Sequence, residues 1–338
     1  MLDLPTQLRV LERNGQLSLP PPGAGSTYKR HQALLEFGRT DLSLARIAEA
    51  HTDALAILVE DNSVATAGKL YGVWASDGPG SLLSAHRSGR KTLVLNGTKR
   101  YCSGAKLLDA ALVTAHEADR VILLNVPLNA PGITIDDSGW ASPAFASTAT
   151  ATVNFEAVTL QQTDIVGSPN WYLTRPGFWH GALGPAACWA GGAIGLIDAA
   201  RKSHKRDPHA QAQLGALEAA EWGFHAILSE AGRQIDADPL DSTRQARRHA
   251  LMARHLIERM CTDVLDRFGR ATGPQLLAFD SAVAQRYAEL TLYIRQCHAE
   301  RDLAAIPEQL APTPIRPVAL PQPRTRDLKL HPDADIAR

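Results

Sequence analysis

The sequence predicts a mostly helical α+β protein: N-terminal helices, a small central β-barrel or sandwich, and a C-terminal four-helix bundle. Apolar residues follow helical spacing to about residue 69 and again from about 171 to 304, whereas short β-branched runs fill 71 to about 160. A chain of 338 residues exceeds one typical core. We therefore expect domains at 1–70, 71–165 and 166–305, and a proline-rich tail at 306–338.

Composition and charge narrow the class of protein. Hydrophobic residues make up 45% and charged residues 21% of the chain, which is ordinary for a globular protein. Lys+Arg and Asp+Glu both number 35, so the balance of charge favours neither nucleic acid nor a membrane surface as a partner. The N-terminus has no apolar signal core, and the four cysteines lack metal-ligand spacing. We expect a reduced, cytoplasmic chain without a metal site.

The N-terminal helices are read from periodicity and capping residues. The stretch "DLSLARIAEAHTDALAIL" (41–58) places Leu44, Ile47, His51 and Leu55 on one face at helical spacing. Asp41 is a suitable N-cap for this helix. Upstream, "LPPPGAG" (19–25) breaks any helix and predicts a loop.

The β region contains an unusual strand end in "TLVLNGTKRYCSGA" (92–105). Asn96-Gly97 predicts a two-residue type I′ hairpin turn between two strands. The second strand then ends on the aromatic Tyr101, followed by four small residues. Small side chains at 102–105 would let the backbone approach a flat ligand closely. Either an edge strand running into a turn or a ligand-contacting strand explains this pattern.

The C-terminal half predicts four long helices at 176–204, 208–236, 242–268 and 280–304, joined by short loops into an up-down bundle. The apolar stretch "GALGPAACWAGGAIGLIDAA" is rich in Gly and Ala, so we interpret it as a closely packed core helix and not as a membrane span. The basic run "RQARRHALMARH" (244–255) indicates a solvated helix surface, with a phosphate contact as the alternative. The tail from residue 311 is expected to be extended or poorly ordered.

The order of these regions, with several segments, resembles the acyl-CoA dehydrogenase family of flavoproteins. "VWASDGPGS" (73–81) and "LNGTKRYCSGA" (95–105) stand where that family contacts its flavin. Three further segments match: "ASTATATVNFEAVTL" with "DIVG", "FWHGALGPAACWAGGAIGLIDAARK", and "LDRFGRATGP". The resemblance, from about residue 30 to 304, implies an FAD between the β domain and the bundle. The implied cofactor contacts are Val73, Trp74, Ala75, Ser76, Tyr101, Cys102, Ser103 and Gly104.

The resemblance also implies a reaction, the α,β-dehydrogenation of an acyl thioester, with acyl-CoA as substrate and a homodimer or homotetramer as the assembly. Such a dehydrogenase needs a base to remove the α-proton. The family's usual glutamate position falls on Ala288 here, with Glu289 one residue later, and a second family position falls near His255. His51, on an apolar helix face, is the third candidate.

Two alternative functions stay open, because neither of the two positions at which the family carries its catalytic base is aligned with a glutamate here. A flavin-dependent monooxygenase of the same fold would need a protonating group in place of an α-proton base, with His51 and Ser103 facing the flavin. A degenerate member would bind an acyl ligand or a protein partner without redox chemistry. The region "RKSHKRDPHAQAQLG" (201–215) is basic but lacks the Phe-Gly that accompanies the family's FAD-contacting arginine, which motivates this last hypothesis.

Overall fold

The computed structural model describes residues 2–78, 80–203 and 207–307, and in this part of the chain helices flank a single sheet. The helices are α1 (Leu4–Arg13), α2 (Thr27–Thr40), α3 (Leu42–Glu60), α4 (Trp171–Thr174), α5 (Pro176–Gly181), α6 (Gly184–Arg201), α7 (Pro208–Ala237), α8 (Ala246–Thr272), α9 (Pro274–Phe279), α10 (Ser281–Tyr293) and α11 (Glu300–Ala304). The strands are β1 (Tyr71–Trp74), β2 (Leu83–Arg87), β3 (Thr92–Cys102), β4 (Ala110–Glu117), β5 (Arg120–Pro127), β6 (Ile133–Asp136), β7 (Ala151–Gln161) and β8 (Ile165–Val166). The predicted fold class is confirmed. The domain limits stay predictions, and most of the predicted tail lies outside the described residues.

Helix α3 begins where the sequence predicts. The Asp41 carboxylate accepts a hydrogen bond from the Leu44 amide at 2.8 Å and so caps the helix. The predicted apolar face is buried, including Leu44, Ile47 and His51. This face places α3 against both the β region and the bundle.

The β region forms one mixed eight-stranded sheet, in the order β6-β7-β3-β2-β4-β5-β8, with β1 added in parallel to β4. The predicted hairpin turn at Asn96-Gly97 is wrong, because β3 runs straight through this pair and is flanked by β2 and β7. The pairing with β7 shifts register between Leu95 and Gly97, which marks a bulge. A Cβ on Gly97 would lie 2.0 Å from the Leu82 carbonyl oxygen, so this glycine permits a close strand contact.

The apolar stretch of the bundle packs as a core helix. A Cβ on Gly191 of α6 would lie 1.9 Å from the Leu35 carbonyl oxygen of α2, and a Cβ on Gly38 would lie 2.3 Å from the Cys188 carbonyl oxygen. The two helices therefore approach each other through glycines. Residues 176–201 have the length and composition of a membrane span, but 72% of the most apolar window is buried inside the protein.

The last predicted helix, 280–304, is interrupted. Helix α10 ends at Tyr293, a short 3₁₀ turn follows at Ile294–Gln296, and Cys297 is extended. Arg254 of α8 donates hydrogen bonds to the carbonyl oxygens of Ala182 at 2.5 Å and Gln296 at 3.1 Å. These contacts join the irregular segment at Gln296 to α8 and to the end of α5.

Candidate functional site

A cavity of about 670 Å³ lies where the ends of β1 and β3 face helix α3 and the end of α10. We call it the interdomain cavity. Its volume is in the range of small-molecule and cofactor sites. Its lining residues are Arg46, Val73, Trp74, Ala75, Ser76, Arg100, Tyr101, Ser103, Trp140, Phe145, Thr148, Thr150, Leu292, Tyr293, Arg295, Gln296 and His298.

One wall is built by the ends of β1 and β3. The buried Trp74 ring donates from Nε1 to the Ser103 carbonyl oxygen at 3.1 Å, which joins the two strand ends. A second register shift between Lys99 and Cys102 leaves Tyr101 in the left-handed region at φ 59°. Because bulges redirect side chains, Tyr101 turns outward and is 56% exposed. A Cβ on Gly78 would lie 2.9 Å from the Tyr101 ring, so the 75–78 loop passes close over this ring.

A chain of buried hydroxyl groups continues this wall. Thr148 Oγ1 donates to the Phe145 carbonyl oxygen at 2.8 Å and lies 2.8 Å from Thr150 Oγ1. Thr150 Oγ1 in turn donates to Ser103 Oγ at 3.1 Å. The Ser103 hydroxyl therefore forms the cavity end of this hydrogen-bonded chain, where it can contact a ligand.

The cavity is basic. Arg46, Arg100, Arg295 and His298 line it, and none of its described lining residues is acidic. Arg295 Nη2 donates to Glu258 Oε1 at 3.1 Å, and His298 Nδ1 lies 3.3 Å from Asp302 Oδ1. A site of this charge favours an anionic ligand.

The Tyr293 hydroxyl lies near the Arg46 guanidinium and the Cys188 thiol but makes no hydrogen bond of standard geometry with the described residues. Tyr293 is 2% exposed, lines the cavity, and makes no hydrogen bond through Oη to any described residue. Its ring lies edge-on to Phe145, with centroids 5.3 Å apart, and the Arg46 guanidinium carbon is 5.5 Å from its centroid. Burial raises the pKa of Tyr293 far above its usual value, so the hydroxyl stays protonated. A buried unpaired donor costs stability, and a bound ligand could satisfy it.

Six of the eight predicted cofactor contacts line the cavity: Val73, Trp74, Ala75, Ser76, Tyr101 and Ser103. The structure places Cys102 and Gly104 elsewhere. Cys102 points into the sheet core with no exposed surface, and burial raises the pKa of its thiol to about 12. Gly104 donates to the Thr148 carbonyl oxygen at 2.8 Å, and a Cβ there would lie 2.7 Å from Leu108. Both residues therefore support the wall from behind.

The predicted base Glu289 does not line the cavity. It is 2% exposed, and its Oε1 accepts hydrogen bonds from Ser43 Oγ at 2.7 Å, Gln285 Nε2 at 3.0 Å and the Phe145 amide at 3.3 Å. Burial raises the pKa of this carboxyl above its usual value. The contacts join α3, α10 and the cavity-lining segment at Phe145, so the geometry gives Glu289 a supporting position.

The two predicted histidines also lie outside the cavity wall. His51 Nδ1 accepts a hydrogen bond from the Tyr71 amide at 3.0 Å and so joins α3 to β1. Burial lowers the pKa of His51 to about 4, which keeps the ring neutral at pH 7. His255 is half-buried on α8, and its Nδ1 has no partner among the described residues.

Sequence reasoning missed the bundle side of the cavity. None of the predicted site residues is Arg46, Tyr293 or His298, which form this side of the cavity. The break after α10 brings Arg295, Gln296 and His298 to the cavity. The sequence signal for these cavity residues is weak: it is a polar cluster at the end of an apolar helix.

The sequence resembles known proteins over only part of its length. No family model matches the chain. Dibenzothiophene monooxygenases of Rhodococcus erythropolis and Rhodococcus qingshengii are 28% identical to it over 142 residues, which is 38% of this chain and 34% of theirs. The match thus spans about a third of the length of these curated relatives.

Solved structures define the fold class. KijD3 in complex with dTDP superimposes with a TM-score of 0.77 at 16% identity, covering 90% of this chain and 88% of KijD3. FMN-bound TdsC of Paenibacillus sp. A11-2 gives 0.74 at 17% identity, covering 90% and 94%. Methanesulfinate monooxygenase MsuC of Pseudomonas fluorescens gives 0.72 at 19% identity, covering 88% of each chain. The chain therefore has the acyl-CoA dehydrogenase-like fold shared with these enzymes.

These comparisons correct the predicted reaction. The expected α,β-dehydrogenation of an acyl thioester is wrong, because the matching proteins are named as dibenzothiophene and methanesulfinate monooxygenases. Membership of the acyl-CoA dehydrogenase family itself is not confirmed. The relatives give no support to FAD or acyl-CoA, since the flavin named with TdsC and KijD3 is FMN.

Proposed function

We propose that this protein is a flavin-dependent monooxygenase that binds FMN in the interdomain cavity. The observation that carries this proposal is the combination, in one cavity of about 670 Å³, of aromatic walls, unused donors and basic side chains. The monooxygenases that share its fold support the same reaction class. Reduced flavin supplies the electrons that activate dioxygen.

The donor set fits a flavin. The ring system needs hydrogen-bond partners along its polar edge and a dry face elsewhere. The Ser103 hydroxyl and the backbone of Val73–Ser76 supply the polar edge, and the Tyr293 hydroxyl is an unpaired donor in the same cavity. Trp74 and Phe145 are buried and would exclude water from the ring.

The charge pattern favours FMN over FAD. FMN carries one phosphate, and Arg46, Arg100 and Arg295 are the guanidinium groups of the cavity. For FAD, the basic region at 201–206 would be the source of pyrophosphate contacts. Arg201 is instead occupied by Asp198 at 2.8 Å and Glu218 at 2.6 Å, and by Glu221. Lys205 and Arg206 lie outside the described residues.

His298 is the residue we assign to proton transfer in the cavity. Its Nδ1 faces Asp302 Oδ1 at 3.3 Å, and the Asp302 carboxylate also accepts the His298 amide at 3.1 Å. Asp302 therefore orients the ring, and Nε2 remains to hold or release a proton. A monooxygenase needs such a group, because one oxygen atom of dioxygen leaves as water.

The substrate of the proposed enzyme is a small molecule of unassigned structure. A homodimer or homotetramer in the cytoplasm remains our expectation for the assembly and its location.

The first experiment is a flavin titration followed by an oxygenation assay. We expect the purified protein to bind FMN more tightly than FAD. The FMN affinity should fall about tenfold in the Ser103→Ala variant, because one hydrogen bond to the flavin is lost. Ser84→Ala, on the exposed face of β2, is the matched control. With reduced FMN, labelled dioxygen and dibenzothiophene or indole as trial substrates, label should enter the organic product. Failure to bind either flavin would refute the proposal.

A further inference from the structure

A second cavity lies apart from the interdomain cavity and contains three arginines. It has a volume of about 500 Å³ and lies between the α4–α5 turn and the loop that joins α7 to α8. We call it the arginine groove and define it by Arg175, Trp179, Asp241, Arg244 and Arg247. None of its residues lines the interdomain cavity.

Two guanidinium groups of the groove are unpaired. Arg244 and Arg247 are exposed, and neither guanidinium group makes an ion pair or hydrogen bond with the described residues, whereas the Arg244 amide donates to the Asp241 carbonyl oxygen at 3.0 Å. The Arg247 guanidinium carbon lies 5.5 Å from the centroid of Trp179, an arrangement that orients the charge over the ring. Both arginines come from the basic run 244–255, for which the sequence left a phosphate contact as an alternative.

The third arginine is buried and incompletely satisfied. Arg175 is 4% exposed and its Nη1 pairs with Glu60 Oε2 at 2.5 Å. Its Nε is buried and has no partner among the described residues. The Arg175 guanidinium carbon lies 5.8 Å and 5.4 Å from the ring centroids of Trp171 and Tyr172, so this arginine adds fixed positive charge beside the groove.

The carboxylates near the groove are already engaged. Glu60 accepts from Arg175 and from the Gly177 amide at 3.1 Å. Asp241 Oδ1 accepts from the Ala246 amide at 2.8 Å, at the start of α8. Three arginines against the single lining carboxylate of Asp241 leave the groove with a net positive charge that attracts an anion from solution.

The groove also offers an apolar surface. Leu173 and Leu240 line it and are 51% and 77% exposed. Exposed leucines beside an aromatic ring in a concave site indicate contact with an organic group. Inorganic phosphate alone would leave this surface uncovered.

We propose that the arginine groove binds a phosphomonoester, with its dianionic phosphate on Arg244 and Arg247 and its organic body against Leu173 and Leu240. Guanidinium groups bind phosphate through paired, charge-assisted hydrogen bonds, which suits this assignment. This site is independent of the proposed flavin site, and the two can be tested separately.

The test uses the full chain in phosphate-free buffer of low ionic strength, with AMP, inorganic phosphate and adenosine as probes in titration calorimetry. We expect saturable AMP binding, weaker phosphate binding and no adenosine binding. The double variant Arg244→Gln/Arg247→Gln should weaken AMP binding about tenfold or more, because two charge-assisted contacts are lost. Arg270→Gln, at an exposed arginine of α8 that pairs with Asp266, is the control for loss of a surface charge outside the groove and should bind AMP normally.

Three results would overturn the inference. They are the absence of saturable AMP binding at millimolar concentration, unchanged AMP binding in the double variant, and an equal loss in the Arg270→Gln control. Equal affinity for AMP and inorganic phosphate would refute the contact between the organic body and the leucines, and would leave only an anion site. Because FMN is itself a phosphomonoester, the separating variant is Ser103→Ala of the interdomain cavity, which should weaken flavin binding but bind AMP normally.

Discussion

The Lys99 ammonium group donates a hydrogen bond to the Asp77 carboxylate at 2.5 Å although the lysine side chain has no exposed surface. Its second partner is Thr114 Oγ1 at 2.9 Å, and Thr114 donates onward to the Ala75 carbonyl oxygen at 3.1 Å. His116 Nε2 lies 3.0 Å from the other Asp77 oxygen. These contacts hold the 75–77 segment, which contributes Ala75 and Ser76 to the interdomain cavity, from inside the sheet.

Lys99→Met should therefore loosen the cavity wall. We expect a loss of about 2 kcal/mol in unfolding free energy, below the cost of a fully buried pair because the Asp77 side chain is 42% exposed and can rehydrate. FMN affinity should fall about tenfold as the loop becomes mobile. The matched control is Lys106→Met, whose lysine pairs with Asp137 at 2.5 Å but is half-exposed. This surface pair is worth less than about 1 kcal/mol, so equal effects of the two variants in urea titrations would contradict the assignment.

Tyr293→Phe separates ligand binding from stability. The hydroxyl has no partner among the described residues, so its removal should leave the melting temperature unchanged or slightly higher. If the hydroxyl contacts the bound ligand, flavin or substrate affinity should fall by about tenfold. Thermal unfolding and flavin titration on the same sample test both expectations. A destabilised variant with normal affinities would show that Oη has a structural partner.

Substitutions at Glu289 test the predicted base directly. Glutamine keeps an acceptor for Ser43 and the Phe145 amide, so Glu289→Gln should retain turnover within about twofold. Glu289→Ala leaves these buried donors unpaired and should lower stability by about 3 kcal/mol. Steady-state turnover and urea unfolding are the measurements. A folded Glu289→Gln variant without activity would restore a catalytic role.

Acid sensitivity should arise in part from His51. Burial lowers the pKa of His51 from 6.5 to about 4, so between these values the unfolded state binds the proton and the folded state does not. Stability should therefore fall as the pH drops through this window, by roughly 2 kcal/mol between pH 7 and pH 5 for this histidine. His31, with its pKa lowered to about 4, acts in the same direction, whereas Glu49, with its pKa raised to about 7 by burial, acts in the opposite one.

Comparison of variants isolates the His51 contribution. His51→Asn should show a smaller stability difference between pH 7 and pH 5 than the unsubstituted protein, and His86→Asn, at an exposed strand position, should not. Urea unfolding at the two pH values measures this difference. An unchanged pH dependence in His51→Asn would mean that the ring is protonated in the folded protein.

His298 should affect turnover without affecting flavin binding. His298→Asn removes the group that we assign to proton transfer, so turnover should fall about a hundredfold while FMN affinity stays within about twofold. Asp302→Asn should cause a smaller loss, because the ring loses its orientation but keeps its nitrogen. Single-turnover oxygenation and flavin titration check the two expectations. Full activity in His298→Asn would assign the proton to another group.

The sequence predicted those features that are set by residues close to one another along the chain. The α3 cap at Asp41 and the order of helices and strands follow from capping chemistry and apolar periodicity, which act over one or two turns. The family resemblance, and not local periodicity, implied that residues 73–76 and Ser103 face a common ligand, and these residues line the same cavity. The local rule failed at Asn96-Gly97, because a turn-favouring pair is overridden when both flanking strands need β3 to continue.

The sequence by itself thus determined the fold class and one wall of the candidate site, whereas tertiary contacts decided the other wall. Helix α10 ends at Tyr293 without a proline or glycine, and Arg254, from another helix, binds the Gln296 carbonyl oxygen. Arg295 and His298 of this segment line a cavity whose opposite wall is about two hundred residues away in the chain. Periodicity reports which face of a helix is buried, but a partner so distant in sequence leaves no local pattern.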